Sequence, residues 1–340
     1  MGLLKYTIRR LLISLVCIFG LIIIIFILSR ALPGDPVWFR LSPKATLQDY
    51  YEERARLGLD KPVLYQLIVF VGDLLTGNWG FSYSVAIDAE VWTLVAFYLP
   101  RSLEVMIISM FLAIGLGIMF GKISARKVNS IWDYLIRILT YFVISIPAFV
   151  IIVFFVLIYI NTPFKIFPLY GYKTVYYPDP TFITGFPLFD SFIAGEWYIF
   201  TDLLWHLIIP ISTMTIVQMV AIIRQTRSSL LEIIQMDCIR TAKAKGLSNR
   251  KIIRKHAMKL AMPPIITISA MGFPIVLGGM IAVEVAYSFV GFGYIFREAI
   301  RYKDYSVIVA FIFVIGVVVI SFNFLADIIN GFLDPRIRFK

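Results

Sequence analysis

Residues 11–29 read LLISLVCIFGLIIIIFILS, nineteen consecutive positions without a charge. A bilayer core about 30 Å thick takes roughly 20 helical residues, so this run is long enough to cross one. Lys5, Arg9 and Arg10 precede it, and a basic head before an apolar run is also how a secretory signal begins. The run is longer than the roughly 7–15 residues of a signal's apolar region, and the small-residue cleavage pattern after it is weak. It reads as a retained anchor helix.

Working outward, five more apolar runs follow at 102–121, 138–160, 203–223, 263–290 and 306–329. Of the 340 residues, 60% are hydrophobic and 16% charged, with a mean hydropathy of +0.86. An ordinary soluble domain carries about 25% charged residues. The composition therefore excludes a disordered chain, a disulfide scaffold and an ordinary soluble enzyme. The expected fold is an all-α polytopic membrane protein with six transmembrane helices. Pro147, Pro210 and Pro274 fall inside spans and are expected to interrupt them, as in helices packed around a cavity. The fifth run is long enough to be tilted or broken.

The net charge of +11 follows the topology. Segments 1–10 and 122–137 are each +3 and 224–262 is +8, whereas 30–101 is −1 and 161–202 is −2. Segment 291–305 is +1 and the tail 331–340 is +2, so the charge alternates between higher and lower along the chain as six spans require, and the positive-inside rule makes the more basic side cytoplasmic. Both termini are then inside, and no charge is left over to argue for nucleic acid. Cys17 and Cys238 belong to regions of different depth and do not make a disulfide framework.

Segment 30–101 is too long for a turn and reads as two short helices. Thr46 and Asp49 resemble a capping box, Glu52 and Arg56 an i,i+4 pair, and Gly58 a stop. Pro62 suits a first turn, and Leu64, Leu67, Ile68, Val71 and Leu75 make one apolar face before Gly77. Segment 161–202 reads as an irregular loop anchored at the interface by Tyr170, Tyr172, Tyr176, Tyr177 and Trp197. A docking surface for a ligand-carrying partner is the alternative.

Segment 224–262 says most. Asp237 is placed to cap a short helix over 238–245, and Gly246 to end it, with Lys243 and Lys245 in the last turn where cations suit the dipole. Ser248 is placed to cap a second helix running through Ile252, Ile253 and His256 to Pro263. A helix of eight residues is not stable alone in water. It must dock on its own spans and anionic lipid, or on a cytoplasmic partner.

The ordered motifs carry a resemblance. LPGDP at 32–36, LGLDKP at 57–62, LPRSLE at 99–104, SIPAF at 145–149, RSSLLE at 227–232 and RTAKAKGLS at 240–248 stand in sequence. Gly278 and Gly279 before Glu284, then Gly291 and Gly293, and LDPRIR at 333–338 complete the set. Along its whole length the chain resembles the permease subunits of oligopeptide/dipeptide-type ABC importers, a family that includes nickel and some oligosaccharide importers. The resemblance implies the type I permease fold, in the cell membrane. It implies an anchor helix at 1–30, an external segment at 31–93, a permease core at 94–330 and a cytoplasmic tail at 331–340.

It further implies that Asp237, Arg240, Thr241, Ala242, Lys243, Lys245, Gly246 and Leu247 form the coupling helix that meets an ATPase subunit. Arg240 stands where the family motif opens with an acidic residue, and Leu260 where the branch often has Asn. The implied partners are a second homologous permease, two ATPase subunits or domains and an external solute-binding protein, with ATP and Mg on the ATPases and no cofactor on this chain. The implied cargo is a di- or oligopeptide, with an oligosaccharide as the alternative and nickel less favoured.

Candidates for the gate or path are Ser145, Pro147, Gln218 and Glu284. No GxxxxGK[ST] occurs, so the ATP site is expected on another chain. Two histidines, His206 and His256, lie in separate regions, no HExxH or GxSxG is present, and neither an intramembrane enzyme nor a metal site is expected. A secondary transporter is the distant alternative. Glu104, Glu284 and Asp327 fall toward span ends, whereas ion coupling favours ionisable groups near the midplane.

Overall fold

The computed structural model describes residues 3–31, 37–38, 41, 44–163 and 166–333. LPGDP and all but the first residue of LDPRIR lie outside these. Among the described residues the chain is helical, apart from an isolated antiparallel bridge between Phe81 and Glu90. Five helices are long and apolar enough to cross a membrane: α1 (Leu3–Ala31), α4 (Val91–Arg126), α8 (Trp197–Ile234), a composite helix α10, and α12 (Tyr305–Leu333). Helix α10 starts as Asn249–Lys251, passes through a π-helical stretch, Ile252–Ala257, and continues as Met258–Ala286. The sixth apolar run is a bent pair, α5 (Ile131–Ser145) and α6 (Ala148–Asn161), turned by 103° between them. Short helices α2 (Leu47–Arg56), α3 (Val63–Thr76), α7 (Pro187–Ile193), α9 (Asp237–Ala244) and α11 (Phe292–Arg301) complete the set.

The prolines behave unequally. The bend falls at Ile146 and Pro147, where Ile146 takes the extended backbone that a following proline favours (φ −98°, ψ 127°). Pro210 and Pro274 do not interrupt their spans, contrary to expectation: α8 and α10 run straight through them, and α10 also passes Pro263 and Pro264. The helix expected after Ser248 therefore does not stop at Pro263 but is the start of a span. One proline removes one hydrogen bond from a helix whose many others, and whose packed neighbours, hold it.

Helices α4 and α8 form the spine. Gly117 and Gly121, one small-xxx-small step apart on α4, lie against Ile222 and Thr226 of α8; a Cβ at either position would sit 2.7 Å and 2.6 Å from those residues' Cβ atoms. The core of one end joins Met106 and Met110 of α4 to Leu203, Leu207 and Met214 of α8 and Met280 and Val283 of α10. Helix α1 lies at the edge against α12, with Val16 and Phe19 exposed and Ile22 and Ile25 buried. Its basic end is tied down by an Arg10–Asp327 ion pair of 3.1 Å and by the Tyr6 hydroxyl donating to the Asp327 carbonyl at 3.2 Å.

The two short helices of segment 30–101 form as the sequence reads. Thr46 and Asp49 make the reciprocal capping box, and Gly77 ends α3 in the left-handed region. The ion pair on α2 is different: Arg56 reaches Glu53 at 2.7 Å, while Glu52 accepts from Gln48. Tyr172 is not an interface anchor either. It is buried, with its ring 5.1 Å from that of Phe289 and the Arg101 guanidinium 5.0 Å from its face. Burial pushes its hydroxyl well above the ordinary tyrosine range. Tyr176, by contrast, is 94% exposed.

Candidate functional site

Helix α9 is amphipathic on a scale of two turns. Ile239 and Ala242 are buried against Leu230 and Ile233 of α8 and Ile252 and Ala257 of α10. Leu247 packs on the edge of that cluster. Asp237, Arg240, Thr241, Lys243, Lys245 and Gly246 face outward. Asp237 is not the cap: Met236 holds that position with no side-chain bond, and Asp237 is the first helical residue, where its charge suits the dipole. Its carboxylate meets Arg240 at 3.2 Å, with both side chains largely exposed, so that pair adds little stability. Lys243 and Lys245 have no ion-pair partner among the described residues. Gly246 turns the chain at φ +75°, with open space beside it, and its N–H donates to the Lys243 carbonyl at 2.9 Å. The result is a basic knob whose apolar side is continuous with two spans, so a push on it reaches α8 and α10.

A buried clamp steadies the spans behind the knob. Asp133 of α5 is wholly buried and takes both Nε and an Nη of Arg227, at 2.9 and 3.1 Å. The Ser124 hydroxyl of α4 and the Asn129 N–H (3.1 Å) also donate to it. Three helices thus meet on one carboxylate.

At the opposite end a second knot gathers distant motifs. The Glu284 carboxylate, wholly buried, accepts from the Ser102 hydroxyl and from the Tyr294 N–H at 2.7 Å. Ser102 in turn accepts from the Phe292 N–H at 2.8 Å. The N-terminus of α11 is therefore held on the α4–α10 junction. A Cβ at Gly291 would lie 2.6 Å from both Glu284 Oε1 and Ser102 Oγ, so the close approach needs glycine there. Glu104, two residues beyond Ser102, accepts from the N–H groups of Leu188 (3.1 Å) and Phe189 (3.0 Å) at the start of α7. The negative ends of these side chains meet the positive ends of two short helices. A third carboxylate at this end, Asp304, gathers the Ser82 hydroxyl (2.6 Å) and the N–H groups of Tyr83 and Ser84.

The four candidate path residues are not brought together. Ser145 and Pro147 are exposed at the α5–α6 bend. The Gln218 amide donates to Ser109 Oγ at 3.4 Å, while its carbonyl oxygen is buried with no partner among the described residues. Glu284 sits in the knot. Nearby hydroxyls serve packing: Thr213 shares a hydrogen bond of 2.9 Å with the Tyr287 hydroxyl, and Thr215 donates to the Ser109 carbonyl. Sequence reasoning missed the Asp133 clamp and the Gly117–Gly121 contact. The four-residue glycine spacing was a usable signal for the second; nothing local marked the first. Among the described residues no group of three His, Cys, Asp or Glu is placed to hold a metal.

Five helices long and apolar enough to cross a membrane, one bent apolar pair and a docked basic helix at one end are the architecture of a multi-span membrane protein. The sequence bears this out: the profile of the family described as "Binding-protein-dependent transport system inner membrane component" matches residues 113–339, and its N-terminal companion profile matches 3–106. The chain belongs to that family of membrane permease subunits. It is 33% identical to a dipeptide transport system permease protein of Alkalihalophilus pseudofirmus, over 99% of this chain and all of that one. It is 31% identical to an oligopeptide transport system permease protein of Bacillus subtilis (98% and 99% covered) and 30% identical to a dipeptide transport system permease protein of Escherichia coli K12 (99% of each).

Proposed function

We propose that this chain is the permease subunit of an ATP-driven importer of di- or oligopeptides. The observation that carries the reading is full-length similarity to three permeases named for such peptides. In this reading the basic end faces the cytoplasm and both termini are inside. A second, homologous permease completes the path, an external binding protein delivers the cargo, and two ATPase subunits hold ATP and Mg. The permease itself hydrolyses nothing.

The knob supports the mechanical part of the proposal. Residues 237–247 would enter a cleft of the ATPase, with Arg240, Lys243 and Lys245 facing its carboxylates and Ile239 and Ala242 carrying the motion into α8 and α10. The path runs past Gln218, whose unpartnered oxygen offers an acceptor to a polar solute, and the Ser145–Pro147 bend is the hinge. Glu284 acts on the outer gate by anchoring α11. The test is uptake by the reconstituted complex with its binding protein. Peptide uptake that stops without ATP is expected. Uptake of oligosaccharides with none of peptides would replace the cargo, and uptake driven by an ion gradient without ATPases would replace the whole reading.

A further inference from the structure

A cleft of 270 Å³ with three arginines in its walls opens between α5 and α8, at the end of the bundle that carries α9. Arg137, Thr140 and Tyr141 line one side, Arg224, Arg227 and Ser228 the other, with Ser124 at the floor. Its carboxylate neighbour is Asp133, already satisfied by Arg227, Ser124 and Asn129. Arg137 reaches it at only 4.0 Å. Arg224 has no ion-pair or hydrogen-bond partner among the described residues, and neither do the Tyr141 and Ser228 hydroxyls. The three guanidinium groups therefore exceed the negative charge that the described residues of this chain place beside them. Ile136, Ile223 and Leu231 also line the cleft and give it an apolar wall next to the charge.

We propose that this cleft binds a phosphate group, held by Arg137 and Arg224 with hydroxyl donors from Tyr141 and Ser228. A guanidinium fork matches phosphate oxygens bidentately, and basic pockets between spans at a membrane edge suit anionic headgroups. The apolar wall favours a phosphodiester that carries acyl chains, so an anionic phospholipid is the expected source, with free phosphate the other. The proposal is independent of what the transporter carries. Occupancy would brace α5 against α8 beside the Asp133 clamp.

The test is native mass spectrometry of the purified full-length chain, titrated separately with phosphatidylglycerol, phosphatidylcholine and inorganic phosphate. Phosphatidylglycerol binding that survives excess phosphate identifies the lipid. Equal competition by inorganic phosphate identifies the free ion in the same site. In either case Arg224→Gln and Arg137→Gln should each weaken binding about fivefold, about 1 kcal/mol. Arg224→Lys should restore part of it, and Lys255→Gln should change nothing. Arg224 is exposed and unpaired, so its variants fold. Equal binding of the two lipids, or binding unchanged in both glutamine variants, overturns the proposal.

Discussion

At the scale of single residues, Glu284, a gate candidate from sequence, is also an anchor in three dimensions. Among the described residues it has no cation beside it; hydroxyl and N–H donors and the positive end of α11 stabilise it instead. Glu284→Ala removes the acceptor from several buried donors at once, at a cost of about 2–3 kcal/mol. The expected result is a lower melting temperature in detergent and poor assembly with partner subunits, with Glu284→Gln less severe because one acceptor oxygen remains. Gly291→Ala, which drives a methyl group into the same two oxygens, should be non-additive with Glu284→Ala in a double-mutant cycle. Full additivity would separate Glu284 from the α11 anchor, and a stable Glu284→Ala complex that assembles but transports poorly would give Glu284 a gating role that does not depend on anchoring. Gly121→Val is the matching test on the spine. Its side chain would overlap Thr226, and overpacking of that kind costs about 1–3 kcal/mol, read as separation of α4 from α8 by loss of engineered cross-linking.

At the scale of elements, the knob is where a small backbone change has a transmitted effect. Gly246 sits at φ +75° with nothing within 4 Å of an added Cβ, so Gly246→Val costs through the backbone, about 1–2 kcal/mol, and not through a clash. The α9–α10 turn should re-form in another geometry, leaving insertion intact and abolishing substrate-stimulated ATPase activity in the reconstituted complex. Unchanged stimulation removes α9 from coupling. The short helix α7 offers a pH test. Burial raises the Asp190 carboxyl, but the Thr184 hydroxyl and the N–H groups of Ile183, Thr184 and Gly185 more than offset this and hold it below its ordinary value of 3.8. The folded state thus binds this proton more weakly, and the loop's stabilisation is present above 3.8 and lost as pH falls through the lower folded value. Hydrogen exchange at the Gly185 amide, corrected for intrinsic pH dependence, should quicken in that acid range, and Asp190→Asn should be loose already at neutral pH. These elements also show what sequence can carry. The apolar runs, the capping box at Thr46 and the turn at Gly246 depend on neighbours within a few residues, and they were legible. The Glu284 knot joins residues 182 positions apart and the Asp133–Arg227 clamp 94. Their ingredients were visible and their meeting was not, because only the packing of α4, α8 and α10 decides it.

At the scale of the whole molecule, the charge distribution makes one demand on the membrane. The segment around α9 is strongly basic, and the loop containing Tyr176 is net acidic. If orientation follows positive charge, the turn at Lys127–Ser130 and the α9 knob share the cytoplasmic side, and the 166–186 loop lies outside with α2 and α3. Two native cysteines, Cys17 and Cys238, are free and have to be replaced by serine before labelling. Cysteines are then placed one at a time at Tyr176, 94% exposed, and at Val128, 45% exposed, both away from the buried knots. A membrane-impermeant maleimide should react with the Tyr176→Cys chain in intact cells and with the Val128→Cys chain only after permeabilisation. The same reagents test the span count, because the two sites are separated in sequence by the bent α5–α6 pair alone. If that pair crosses the bilayer, the sites are on opposite sides; if it enters and leaves by one face, both are labelled from the same side. Labelling of both sites in intact cells would reduce the α5–α6 pair to a re-entrant hairpin, leave five crossings, and put the two chain ends on opposite sides. The basic knob would then have to be placed afresh by its own label before any ATPase could be assigned to it.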